Sequence, residues 1–279
     1  MHRAHLFSLI FVLVAMTTSL SAQGASGPKY LALGDSVTFG FIDQAGFEYV
    51  NAANFIGFPT YAGGRLKMDA ANAACPGETT ASFLSSAGPD NGCRQFRLAG
   101  AQLHVPYAST QLDFALAFLK SHPQTRLITI GLGADDVLLL SAACSGAPTC
   151  IQAGLATVAA NMETILTDLR ATGFTGIIIV VNYYSTDYSD LTQTGIIAAL
   201  NQALTAAAGQ SGAVIADVFS AFQSATGPVG GKTCNAGLLN GTFSPTNQFT
   251  CDIHPSQSGQ MLIGKVVAQK FVAAKGGGQ

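Results

Sequence analysis

Tryptophan is absent from this 279-residue chain, and charged residues make up only 10% of it. The 13 Lys and Arg residues are scattered, and the formal net charge is -2. A nucleic-acid-binding surface needs a concentrated basic patch, so that class is disfavoured. There is no C-x-x-C pair, and the histidines are not grouped at the H-x₃₋₅-H spacing of a zinc motif. Both absences argue against a zinc site or any other metal centre. Beyond the N-terminal region no apolar run is long enough to span a bilayer.

What is present is apolar. Hydrophobic residues make up 48% of the chain, ample to bury against chain entropy, so a disordered protein is excluded. The first residues carry Arg3, an apolar run from Leu6 to Met16, and then the small residues Ser21, Ala22 and Gly24. That order reads as a secretory signal peptide over residues 1–24, with an uncleaved anchor helix as the competing reading. Residues 25–279 would then be one soluble, exported domain. The six cysteines (Cys75, Cys93, Cys144, Cys150, Cys234 and Cys251) are an even set outside the signal peptide, as disulfides in an oxidising compartment require. Sequence admits many pairings. Proximity favours Cys75–Cys93, Cys144–Cys150 and Cys234–Cys251.

Short apolar runs at Lys29–Gly34, Arg126–Gly131, Gly176–Asn182 and Ala213–Asp217 end at Gly, Asn or Asp, as buried parallel strands do. Leu66 to Ala73 is a weaker strand candidate. Between them the spacing predicts amphipathic helices over 110–120, 151–171, 195–208 and 256–274, the first with Ser109 available as its cap. Alternation of strand and helix implies an α/β fold with a central parallel sheet and helices on both faces. Two stretches resist the scheme. Phe41 to Gly64 is aromatic and Gly-rich, and reads as a surface lobe. Thr226 to Thr250 reads as a long functional loop before His254.

Four segments offer chemistry. Gly34 to Gly40 (GDSVTFG) follows the first strand, where ligands bind beyond the carboxyl ends of an open sheet, so Ser36 stands where a nucleophile belongs. Taken alone it could equally be a cap or turn serine. A serine nucleophile needs a base. His104 and His122 sit in structural settings, the latter closing a helix, whereas His254 precedes Pro255 and the start of the last helix. Gly77, in NAACPGETT, has no side chain to keep its N–H from a substrate oxygen. The run GLGADDV brings Gly133, Asp135 and Asp136 to the same sheet edge. Each also has a plain structural reading, as a turn glycine, a surface histidine or solvated loop acids.

Taken together and in order, these segments resemble the blocks of the GDSL/SGNH hydrolase family: G-D-S, a glycine in the second block, G-x-N-D, and D-x-x-H-P. The resemblance spans Tyr30 to about Gly264, and the ACPGET and HPS-x-x-G wording points toward exported bacterial GDSL lipases and esterases. It implies a three-layer α/β/α sandwich of flavodoxin-like type. It also implies a secreted carboxylic ester hydrolase that forms an acyl-enzyme on Ser36, with His254 as base and no metal or organic cofactor. The oxyanion would be held by the backbone N–H groups of Ser36 and Gly77 and by a third-block side chain. A flavodoxin-like cofactor binder shares the sheet but needs a phosphate loop such as G-x-G-x-x-G, which is missing. Substrates compatible with the family are small esters, lipids and acylated glycans, and the aromatic stretch Phe39 to Tyr61 suggests a hydrophobic acyl or alcohol pocket, with core packing as the competing reading of the same rings.

The sequence departs from the family twice. Asp135 stands where the family has Asn; an ionised carboxylate offers the oxyanion no donor, whereas a buried, protonated one would. The family's acid lies three residues before the histidine, a position held here by Cys251, with Asp252 only two before. Either Asp252 or a backbone carbonyl then orients His254. These departures keep a second reading open, a catalytically weakened member that binds acyl or glycan ligands.

Overall fold

The computed structural model describes residues 29–43, 50–243 and 248–277; the expected signal peptide lies outside them. Five parallel strands form the central sheet: β1 (Lys29–Gly34), β2 (Asp69–Asn72), β3 (Thr125–Gly131), β4 (Ile177–Val181) and β5 (Val214–Ala216). Their order is β2-β1-β3-β4-β5. The inner strands are buried along nearly their whole length, which is why they read as continuous apolar runs and not as alternating ones.

Helices cover both faces. On one side lie α1 (Ser36–Phe39), α2 (Phe58–Leu66), α9 (Val218–Thr226) and α10 (Gln257–Gly276), with α10 packed on α2, β4 and β5. On the other lie α3 (Thr80–Leu84), α5 (Gln111–Ser121), α7 (Pro148–Ala171) and α8 (Leu191–Gln210). Two further helices, α4 (Cys93–Leu98) and α6 (Ala134–Cys144), flank the strand ends. This is the expected three-layer α/β/α architecture. The N-cap of α5 is Thr110, in a reciprocal pair with Asp113, and not Ser109.

Two regions differ from their sequence reading. Phe41 to Gly64 is no surface lobe over its described part. Phe58 and Ala62 of α2 are fully buried, and Phe39, Phe55 and Ala74 form a satellite core. The stretch before His254 is not one long loop either. It holds a short 3-10 turn at Gly227–Val229 and an antiparallel hairpin of β6 (Leu239–Phe243) and β7 (Phe249–Pro255). Its Thr, Phe and Ile residues supply β-propensity that the surrounding Gly and Asn mask in a linear reading.

The structure carries the three short-range disulfides, Cys75–Cys93, Cys144–Cys150 and Cys234–Cys251, with Cα separations of 5.5, 5.6 and 5.8 Å. Cys234–Cys251 pins the hairpin to the segment before it. No helix among the described residues is long and apolar enough to cross a membrane.

Candidate active site

The sheet order reverses between β1 and β3, because the chain leaves β1 toward β2 on one side and returns to β3 on the other. In open α/β sheets the crevice beyond the carboxyl ends at such a switch point is where ligands bind. Ser36 follows β1 and Asp135 follows β3, so the topology alone brings them to one crevice.

The turn from β1 into α1 is tight. Gly34 has φ 151°, and a Cβ there would overlap Thr38 Oγ1 and the Gly131 carbonyl. Asp35 caps α1, its Oδ1 accepting from Val37 N at 2.9 Å and its Oδ2 from the Tyr183 hydroxyl. Asp35 is fully buried, and that burial pushes its carboxyl up to about 7, against the opposing bonds from Tyr183 and Val37. Ser36, the first residue of α1, is thereby presented half-buried at the crevice.

Gln111 braces the same turn from α5. Its amide accepts from Gly34 N at 2.6 Å and donates to Gly34 O at 3.0 Å and to Glu78 Oε2 at 3.1 Å. One buried side chain thus ties the turn that carries Ser36 to the loop that carries Gly77. Gln260 of α10 holds the other side, donating to Val37 O at 3.0 Å and accepting from Phe58 N at 2.7 Å.

Gly77 has φ 84°, and its carbonyl accepts from Asn91 N at 2.8 Å. The Cys75–Cys93 bridge closes this loop on both sides of that contact. Asp135 enters from the first turn of α6 and is 5% exposed. Its Oδ1 accepts from Asn91 Nδ2 at 2.8 Å, while Oδ2 is buried without a hydrogen-bond partner. Burial above all, and then the Asp35 carboxylate, push Asp135 well above the usual carboxylate range; the bond from Asn91 opposes them. Asp136 is turned away from the crevice, accepting from Thr80 N at 2.9 Å and Thr80 Oγ1 at 2.7 Å.

His254 is the penultimate residue of β7 and not a loop residue. Near it the ladder is irregular: Gly241 faces Cys251 and Leu239 faces Pro255, so residues 252–254 oppose Asn240 alone. Side chains two apart on a strand share a face. Asp252 accordingly reaches the imidazole despite its shifted place in the sequence, with Oδ1 3.6 Å from Nδ1. That is an ion-pair distance and too long for a hydrogen bond, so Nδ1 stands without a hydrogen-bond partner. The carboxylate is fixed by accepting from His254 N at 2.6 Å and Asp43 N at 3.0 Å. The Phe41 ring packs edge-on to the imidazole at 4.9 Å, and Tyr184 OH donates to Ile253 O at 2.6 Å.

Ser36, Gly77, Asn91, Asp135 and His254 all line one cleft of about 420 Å³. Its apolar wall comes from one face of α6 (Ala134, Val137, Leu138), one face of α8 (Ile196, Ile197), and Phe41, Phe96 and Ile253. Of the described aromatics between Phe39 and Tyr61, Phe41 alone lines it; Phe39, Phe55 and Phe58 are core. His104 and His122 stand apart, bonded to Phe39 O and Phe118 O at 3.0 Å. Among the described residues one group has the proximity a metal would need, Cys75, Glu78 and Cys93. Its two sulfurs are joined to each other, which removes the thiolates a metal would take.

Asn91, Gln111, Asp35 and Tyr183 were not marked by the sequence. Asn91 alone had a readable signal: it lies two residues before Cys93, whose partner lies two before Gly77, so the pairing itself brings Asn91 and Gly77 together.

A family model described as the GDSL-like Lipase/Acylhydrolase family matches residues 32–262. No curated relative matches the sequence. Among solved structures, a protein described as a GDSL-like lipase from Parabacteroides merdae ATCC 43184 superposes with a TM-score of 0.56 at 13% identity, over 88% of this chain and 97% of that one. The acetylxylan esterase Axe2 of Geobacillus stearothermophilus gives 0.52 at 14% identity, over 88% and 94%. At these identities the two structures attest the fold.

Proposed function

Since the chain belongs to the GDSL-like lipase/acylhydrolase family, we propose that it is a secreted carboxylic ester hydrolase working through an acyl-enzyme on Ser36. The observation that carries this reading is the convergence of Ser36, Gly77, Asp135 and His254 on one cleft at the sheet's switch point.

His254 takes the proton of the Ser36 hydroxyl as its oxygen attacks the ester carbonyl. The carbonyl oxygen, now negative, is met by the N–H groups of Ser36 and Gly77 and by Asp135. Collapse of the tetrahedral adduct breaks the bond to the alcohol, which leaves with the proton held by His254. Water, deprotonated by His254, then frees the acid and restores Ser36. Asp252 holds the imidazole's orientation and offsets the positive charge it gains, acting across 3.6 Å. The apolar faces of α6 and α8 suit the hydrocarbon part of an acyl or alcohol group.

Secretion is supported by three disulfides, which persist in oxidising compartments, and by the N-terminal sequence pattern. A single domain over 25–279 is part of the same proposal.

The test is hydrolysis of p-nitrophenyl esters from acetate to palmitate by the mature protein beside Ser36→Ala. Turnover lost in the variant is the expected result, and the chain-length profile reports the fit of the cleft. A folded, disulfide-intact protein that turns over none of them would favour the weakened, ligand-binding reading.

A further inference from the structure

The family's third-block Asn is replaced by Asp135, and the structure places an asparagine beside it from elsewhere in the chain. Asn91 comes from the loop closed by Cys75–Cys93, lines the cleft, and is bonded to two residues of the proposed oxyanion site: its N–H to the Gly77 carbonyl, its side-chain amide to Asp135. An asparagine amide donates through nitrogen, so Asp135 Oδ1 is the acceptor, the role that suits a carboxyl's carbonyl oxygen better than its hydroxyl. The other oxygen, Oδ2, is buried with no partner, on a residue that lines the cleft. A buried oxygen without a partner is costly as an anion and in want of an acceptor as a hydroxyl.

We propose that Asn91 and Asp135 form one donor unit: the Asn91 amide fixes Oδ1, and Oδ2 keeps its proton and donates it as a hydrogen bond to the oxyanion. Asp135 is then a catalytic residue and Asn91 a positioning residue, and the unit supplies the donor that Asn supplies in the family pattern. This rests on the acyl-enzyme reading above.

The groups facing Asp135 support retention of the proton. Asp35 on the turn before α1 and Asp136 on α6 both disfavour a further negative charge; His254 on β7 and Asn91 favour it; Tyr183, after β4, is a neutral phenol bonded to Asp35. Burial outweighs the favourable pair.

The experiment is the pH profile of kcat for wild type, Asn91→Ala, Asn91→Asp, Asp135→Asn and the exchanged pair Asn91→Asp/Asp135→Asn. It is joined to the infrared carbonyl stretch of protonated carboxyl groups in the substrate-free protein. Wild type is expected to lose kcat on the alkaline side as Asp135 ionises, and to show a protonated-carboxyl band at neutral pH that Asp135→Asn removes. Asp135→Asn loses the alkaline limb, since its amide donates at every pH. Asn91→Ala lowers kcat by roughly tenfold or more at unchanged KM and moves the limb to higher pH, because the bond that favours the ionised form is gone. Asn91→Asp alone is worse, and the exchanged pair recovers activity.

An alkaline limb unchanged in Asp135→Asn, or no band assignable to Asp135, overturns the donor unit while leaving the serine mechanism intact. Absence of any Ser36-dependent turnover overturns both.

Discussion

Replacing Gly77 by alanine asks whether its N–H is where the oxyanion needs it. The residue has φ 84°, a left-handed conformation that costs an L-residue roughly 1–2 kcal/mol. The added Cβ would stand 2.6 Å from Asn91 O, 2.7 Å from Asn91 C and 2.8 Å from Cys93 N. All three are backbone atoms, so no rotamer change relieves them. Nor can the segment swing freely, because Cys93 is bridged to Cys75. The peptide of residue 77 itself must shift, and its N–H with it. Oxyanion donors act over 2.7–3.1 Å, and loss of one costs about a hundred- to a thousandfold in kcat, roughly 2.7–4 kcal/mol of the barrier. The assay is kcat and KM on the best p-nitrophenyl ester, expressed per folded molecule, with the folded fraction taken from a urea titration. The expected result is a loss of about a hundredfold or more in kcat, KM within about threefold, and a lower urea midpoint. Wild-type kcat in folded Gly77→Ala would refute the placement of this N–H at the oxyanion.

Two other outcomes follow from the same geometry. Asp252→Ala removes the carboxylate 3.6 Å from Nδ1, and kcat is expected to fall by at least about tenfold at little change in KM; near-full activity would mean that the imidazole is oriented without it. Asp35, raised from 3.8 to about 7 by burial, binds more protons in the folded than in the unfolded chain between those values. Stability contributed by this group is therefore full below about pH 4 and declines as pH rises toward 7. Asp35→Asn keeps an equally good cap and is expected to flatten the decline of the unfolding free energy from urea titration between pH 5 and 8 by more than about 1 kcal/mol. An identical slope in the variant would contradict it.

The sheet was legible because parallel strands buried on both faces leave continuous runs such as Leu127 to Ile130 and Ile177 to Val181, and because the helices between them keep one apolar stripe each. β7 was not, because its residues are largely exposed or half-exposed and carry no continuous apolar run. Missing it also left open whether Asp252 reaches His254. Counted along the chain, that residue seems to have slipped by one from the family spacing; on a strand, i and i+2 share a face, and the irregular ladder brings the pair together. The cleft's apolar wall was misplaced for a related reason. Phe39, Phe55 and Phe58 look like pocket residues by type, but packing decides, and they are core, while α6 and α8 turn one face of an ordinary amphipathic pattern to the cleft. Gln111 and Asn91 act across 77 and 44 residues of sequence, to Gly34 and Asp135, and only the folded chain juxtaposes them.

The most direct test of the central claim is to label the nucleophile covalently. The mature protein would be treated with a fluorophosphonate, digested and mapped by mass spectrometry. A single adduct on the peptide bearing Ser36, absent in Ser36→Ala and slowed at least about a hundredfold in His254→Ala, is the result the account predicts. An active protein whose label falls on another residue, or that takes none, would contradict it.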